Sequence, residues 1–170
     1  VSAVEDGTQP YLVVMAYSRA SAETAAALRQ WKKKAMLTRS SNKTEVEEIL
    51  RKAVTVVTLG ACSNWFPDGP AYIHISMFED SLTAKMGVHS EKQKGGGRDA
   101  VYLTANSPYS TAGSDAHNSG ACILQYLNVM MRSNGAKTLR EVYAMGSAGA
   151  LRVPENLSEL HRAMIVATKG

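Results

Sequence analysis

The chain has 170 residues, 45% of them hydrophobic and 20% charged, with a formal charge of +4. That balance excludes a disordered or collagen-like chain and suits one globular domain over residues 1–170, with 1–10 as a loose N-terminal arm. No apolar run reaches the length of a membrane span, and Val1 opens no basic-then-apolar leader, so a soluble, cytoplasmic protein is expected.

The run Tyr11–Tyr17 is short, aromatic and β-branched, and is expected to form a strand buried on both faces. Ser18 and Ser21 offer helix caps, and a helix follows over Thr24–Leu37, with Lys32, Lys33 and Lys34 complementing its dipole in the last turns. After a polar loop, Thr44 and Glu47 read as a capping box. Val46, Ile49, Leu50 and Ala53 then supply an apolar stripe. The five β-branched residues Val54–Thr58 favour a strand that begins where this helix stops near Lys52.

Pro67-Asp68-Gly69-Pro70 is a turn. In the strand from Ala71 to Phe78, Ile73, Ile75 and Met77 alternate with Tyr72, His74 and Ser76, which predicts burial on one face only. A short helix over Asp80–Val88, a mobile glycine-rich loop over His89–Asp99 and a strand over Ala100–Ala105 come next. Asn106–Gly120 reads as a long polar loop, and Ala121–Arg132 as a largely buried helix whose polar stripe is Gln125, Asn128 and Arg132. Thr138 and Glu141 form a second capping box for a helix ending at Gly146, and Pro154 starts a last helix with Leu157, Leu160 and Met164 on one face. The mixture implies an α+β or three-layer α/β fold of about four to five helices and three to four strands.

Charge is concentrated early. From Arg19 to Lys43 seven cations face one anion, Glu23, a local excess of +6 in a chain of +4. Arg29, Lys32, Lys33, Lys34, Arg39 and Lys43 therefore form a candidate phosphate-binding surface, with the bland alternative of a solvated helix face partly neutralised by Glu45, Glu47 and Glu48. A second basic region, Lys85, Lys92, Lys94 and Arg98, surrounds Gly95-Gly96-Gly97 but matches no phosphate-loop or dinucleotide motif.

Residues able to do chemistry are scattered. Cys62 and Cys122 are expected to be reduced, since two cysteines make no framework and lack zinc-ligand spacing. Two glycosylation triplets, beginning at Asn42 and Asn156, matter only in a secreted chain. No two histidines stand at metal-ligating spacing, so no metal site is expected and no cofactor is named. Asp115 and His117 in the long loop could act as an acid–base pair, with His74 as a third candidate. Cys62-Ser63 lies near a strand end without the glycine spacing of a nucleophile elbow, and Glu79-Asp80 is either a cation ligand or a plain turn. Tyr72 and Tyr102 could offer stacking faces to unpaired bases. The run Gly60-Ala61-Cys62-Ser63-Asn64-Trp65-Phe66 resembles a segment of the CinA-type nicotinamide-nucleotide amidohydrolases. Their serine-bearing glycine loop and lysine motif have no counterpart here, so no role is carried over.

Two functions follow as expectations. The preferred one is a polyanion-binding protein whose basic helix and loop hold RNA through its phosphates, with self-association open to it. The other is a small enzyme for a phosphorylated metabolite, using the same cations as a clamp and Asp115, His117 and His74 for proton transfer.

Overall fold

The β-branched run Val54–Thr58 cannot continue the helix before it without crowding each preceding turn, and the chain switches to a strand with no intervening loop. In the computed structural model, which describes residues 11–39, 42–88, 95–105 and 120–152 (backbone only at 39, 105 and 120–125), this strand is β2, Val54–Leu59. It follows β1 (Leu12–Tyr17), α1 (Ala20–Arg39) and α2 (Lys43–Ala53). After it come β3 (Ala71–Met77), α3 (Ser81–Met86), β4 (Val101–Ala105), α4 (Gly120–Ser133) and α5 (Leu139–Ser147). The four strands form one parallel sheet in the order β1-β2-β3-β4.

A parallel sheet in sequential order moves each connection one strand along in the same direction, so right-handed crossovers all fall on one face. Ala25 and Leu28 of α1, Val46 and Leu50 of α2, and Phe66 and Val88 from the later connections all pack with Val54, Val56 and Tyr72 on that face. On the other face, Val57, Ile73, Ile75, Met77, Val101 and Leu103 meet Tyr126, Leu127 and Met130 of α4 and Val142 of α5. Helices on both faces of a parallel sheet make this a three-layer α/β architecture.

That covering corrects two expectations. β3 is buried along its whole length, not on one side, because the crossovers cover the face bearing Tyr72, His74 and Ser76. β1 is the reverse case: it lies at the sheet edge, and Val13, Met15 and Tyr17 remain exposed although their composition suits full burial.

Local signals are mostly obeyed. Asp80 caps α3, accepting from the backbone of Leu82 and Thr83 at 3.1 and 2.9 Å, and from the Thr83 hydroxyl at 2.5 Å. Thr138 caps α5 through the Glu141 amide, while the Glu141 carboxylate accepts from the Lys137 amide at 2.6 Å. α5 runs on through Gly146, which packs against Val101, to Ser147. In α4, Tyr126, Leu127, Val129 and Met130 are buried while Asn128 and Arg132 face outward. α1 starts four residues earlier than expected, where Ser21 turns back to the Ser18 carbonyl. The box at Thr44 is corrected: Asn42 caps α2, accepting from the Glu45 amide at 2.8 Å, and Glu47 is drawn instead into an ion cluster. Of the loop expected over Asn106–Gly120, residues 106–119 lie outside the described residues and Gly120 opens α4; the helix expected from Pro154 also lies outside them.

Candidate nucleic-acid interface

Helical spacing decides which cations share a face. On α1, Arg29, Lys32, Lys33, Met36 and Leu37 stand at i, i+3, i+4, i+7 and i+8, so they form one stripe. That stripe faces the segment Trp65–Asp68 across a groove of about 350 Å³, and Lys43, at the start of α2, joins it. Among the described residues, four cations and a single acid, Asp68, line this groove. Lys34 falls on the neighbouring stripe and faces a separate hollow between α1 and α2, with Trp31, Ala35, Val46, Ile49 and Leu50. The Arg39 side chain lies outside the description.

Two of the groove cations, Lys32 and Lys43, meet a buried carboxylate. Glu47, with a side chain 3% exposed, accepts a 2.5 Å hydrogen bond from Lys32 Nζ. Arg98 approaches it at 3.3 Å and Lys43 at 3.7 Å. Burial alone would raise its pKa, but the hydrogen bond and charge of Lys32, with Arg98 and Lys43, hold it below the ordinary carboxylate value. Lys32 also donates to the Asp68 carbonyl at 2.7 Å, so it works mainly inside the fold. Lys43, 61% exposed, and the exposed Arg29 and Lys33 keep their charge toward solvent.

Arg98 was expected in a separate basic region; it reaches the first one because the glycines before it are firmly placed. The Phe66 amide donates to the Gly95 carbonyl at 2.5 Å, and the Arg98 amide to Asp68 Oδ1 at 2.9 Å. Gly97 has φ +94° and lies against the Tyr72 ring, where a side chain would collide. Residues 95–99 are therefore corrected from a mobile loop to a packed connection. Lys92 and Lys94 lie outside the described residues, and Lys85 is exposed on α3.

Trp65 has no place in the expected site, yet it stands in the groove. The Arg29 guanidinium lies 4.2 Å from its ring centroid, and the residue is 41% exposed. Next to it Phe66 is buried against Tyr72 and His74, which anchors the segment. A signal was available, since a Trp-Phe pair before a Pro-Asp-Gly-Pro turn commits one large ring to the core and turns its neighbour out.

The remaining candidates fall elsewhere. Tyr72 is fully buried, its hydroxyl donating to the Pro67 carbonyl at 2.7 Å, and Tyr102 packs against the same core, which corrects the stacking faces expected there. His74 is 2% exposed, with Nδ1 and Nε2 each 2.7 Å from an oxygen, of Thr58 and Gly96. Asp115 and His117 lie outside the described residues. Cys62 is a free thiol whose amide donates to Ser21 Oγ at 2.9 Å. Among the described residues no three His, Cys, Asp or Glu side chains gather as a metal site, and no helix is long and apolar enough to cross a membrane.

Comparison with protein-family models, with curated proteins and with solved structures finds no match to this chain.

Proposed function

We propose that the protein binds a polyanion, RNA above all, along the groove between α1 and the Trp65–Asp68 segment. The observation that carries the proposal is the convergence of Arg29, Lys32, Lys33 and Lys43 on one groove where, among the described residues, Asp68 is the one acid. Glu47 supports it through the cations it holds. By holding Lys32, Lys43 and Arg98 it fixes cations that would otherwise repel one another, while being too deep to meet a phosphate itself. Arg29, Lys33 and Lys43 would take phosphate oxygens. Contacts of that kind position a strand without reading its bases. A cytoplasmic setting goes with the proposal, and the free Cys62 thiol agrees with it.

Fluorescence anisotropy of a labelled single-stranded oligonucleotide over a salt series tests it. Three phosphates neutralised predict a slope of log K against log salt of about −2. Lys33→Glu and Lys43→Glu each flatten that slope, whereas Lys34→Glu, on the other stripe, changes it least. Absence of binding in dilute buffer, or a slope near zero, overturns the proposal.

A further inference from the structure

A groove that only gathers phosphates has no use for apolar walls. This one exposes Trp65 and Leu37 beside its cations, with Leu37 75% exposed, and the half-buried Met36 lies between them and the core. We infer that Trp65, backed by Arg29, is a stacking platform for an unpaired nucleobase, which makes single-stranded nucleic acid the preferred class of polyanion. The inference rests on the phosphate-binding reading above and adds a base-dependent contact to it.

The platform is fixed before any ligand arrives. Ser63 Oγ donates to the Trp65 carbonyl at 2.9 Å and accepts from its amide at 3.4 Å, closing a tight local turn. Phe66 is locked on the sheet by its ring contacts and by its hydrogen bond to Gly95. A ring held this way loses little freedom on binding. Arg29 lies against the indole with its cation 4.2 Å from the centroid, and its planar guanidinium can itself continue a stack. Lys33 and Lys43 line the same groove as Trp65 and would take the phosphates of a strand whose base is laid on the indole. Paired bases have both faces covered by their neighbours and cannot enter such a stack without being pulled out of the helix.

The protein has two tryptophans, and Trp31 lies in the separate hollow. The full chain carrying Trp31→Phe therefore reports from Trp65 alone. It is titrated with an unstructured RNA decamer, a base-paired RNA of the same length and inorganic polyphosphate of matched charge. The decamer is expected to quench Trp65 emission and to bind about tenfold more tightly than either of the others. Trp65→Ala erases that excess and Trp65→Phe keeps part of it; the quench and the Phe variant decide the matter if the Ala variant melts early. Equal, salt-dependent affinity for all three ligands with no quench overturns the stacking platform and leaves the phosphate groove standing. No binding of any ligand overturns both.

Discussion

Thr58 and His74, paired in register on β2 and β3, are joined by a 2.7 Å hydrogen bond in the core. The other ring nitrogen, Nε2, is 2.7 Å from the Gly96 carbonyl oxygen, which can only accept. Nε2 therefore carries the hydrogen, and Nδ1 accepts from the Thr58 hydroxyl. The imidazole thus ties the sheet to the glycine connection that brings Arg98 to Glu47.

This pairing sets a pH dependence. Burial lowers the His74 pKa from 6.5 to about 4, against a smaller opposite effect of the Gly96 carbonyl. Between those values the unfolded chain binds a proton that the folded chain refuses, so stability is whole above pH 6.5 and falls toward pH 4. The loss amounts to about 3 kcal/mol. Urea unfolding across that range should show it. His74→Gln should be less stable at neutral pH and should lack this limb.

Glu47 governs a lower window. Its folded pKa lies below the ordinary 4.5, so its contribution is present above that value and disappears as the pH falls through the folded one. Glu47→Gln leaves Lys32 in place with a side chain only 12% exposed and its ionic partner gone. We expect a loss of about 3 kcal/mol at neutral pH, with the curves of parent and variant converging in acid. A constant difference at every pH would refute the electrostatic account.

Gly96 is required by space. A Cβ there would overlap the Tyr102 hydroxyl and press on His74 Nε2. Gly96→Ala is expected to cost about 2 kcal/mol or more and to weaken polyanion binding indirectly, because displacing Arg98 disturbs the Glu47 cluster that holds Lys32 and Lys43. Chemical unfolding together with anisotropy reads both effects.

Tyr126 offers a gain. Its ring is fully buried against the sheet, and its hydroxyl has no hydrogen-bond partner among the described residues. Tyr126→Phe removes an unpaid desolvation and should stabilise the fold by about 1 kcal/mol, a rise in Tm of about 2–4 °C. A fall in Tm would show that the hydroxyl is satisfied after all.

Much of the fold is legible in local chemistry. The β-branched run at Val54–Thr58, the cap at Thr138 and the buried stripe of α4 follow from backbone preference and periodicity, which need no knowledge of neighbours. The stripe Arg29, Lys32, Lys33 also follows from helical spacing, whereas Lys34, grouped with it on charge alone, falls on the neighbouring stripe. Burial was less readable. Tyr11–Tyr17 and Ala71–Met77 both carry strand-forming residues, yet the first is a partly exposed edge and the second is buried throughout. Strand order and the side taken by the crossovers decide that, and neither is a property of the segment itself.

The sequence by itself determined the elements and the local excess of positive charge, because both depend on residues within a few turns of one another. Only the tertiary structure decided that Glu47 gathers Lys32 and Lys43, that Arg98 joins them from a distant segment, and that Trp65 rather than Tyr72 is the ring left in the groove. Those relationships arise from packing between distant segments, where a side chain's surroundings are set by the fold rather than by its neighbours in the chain.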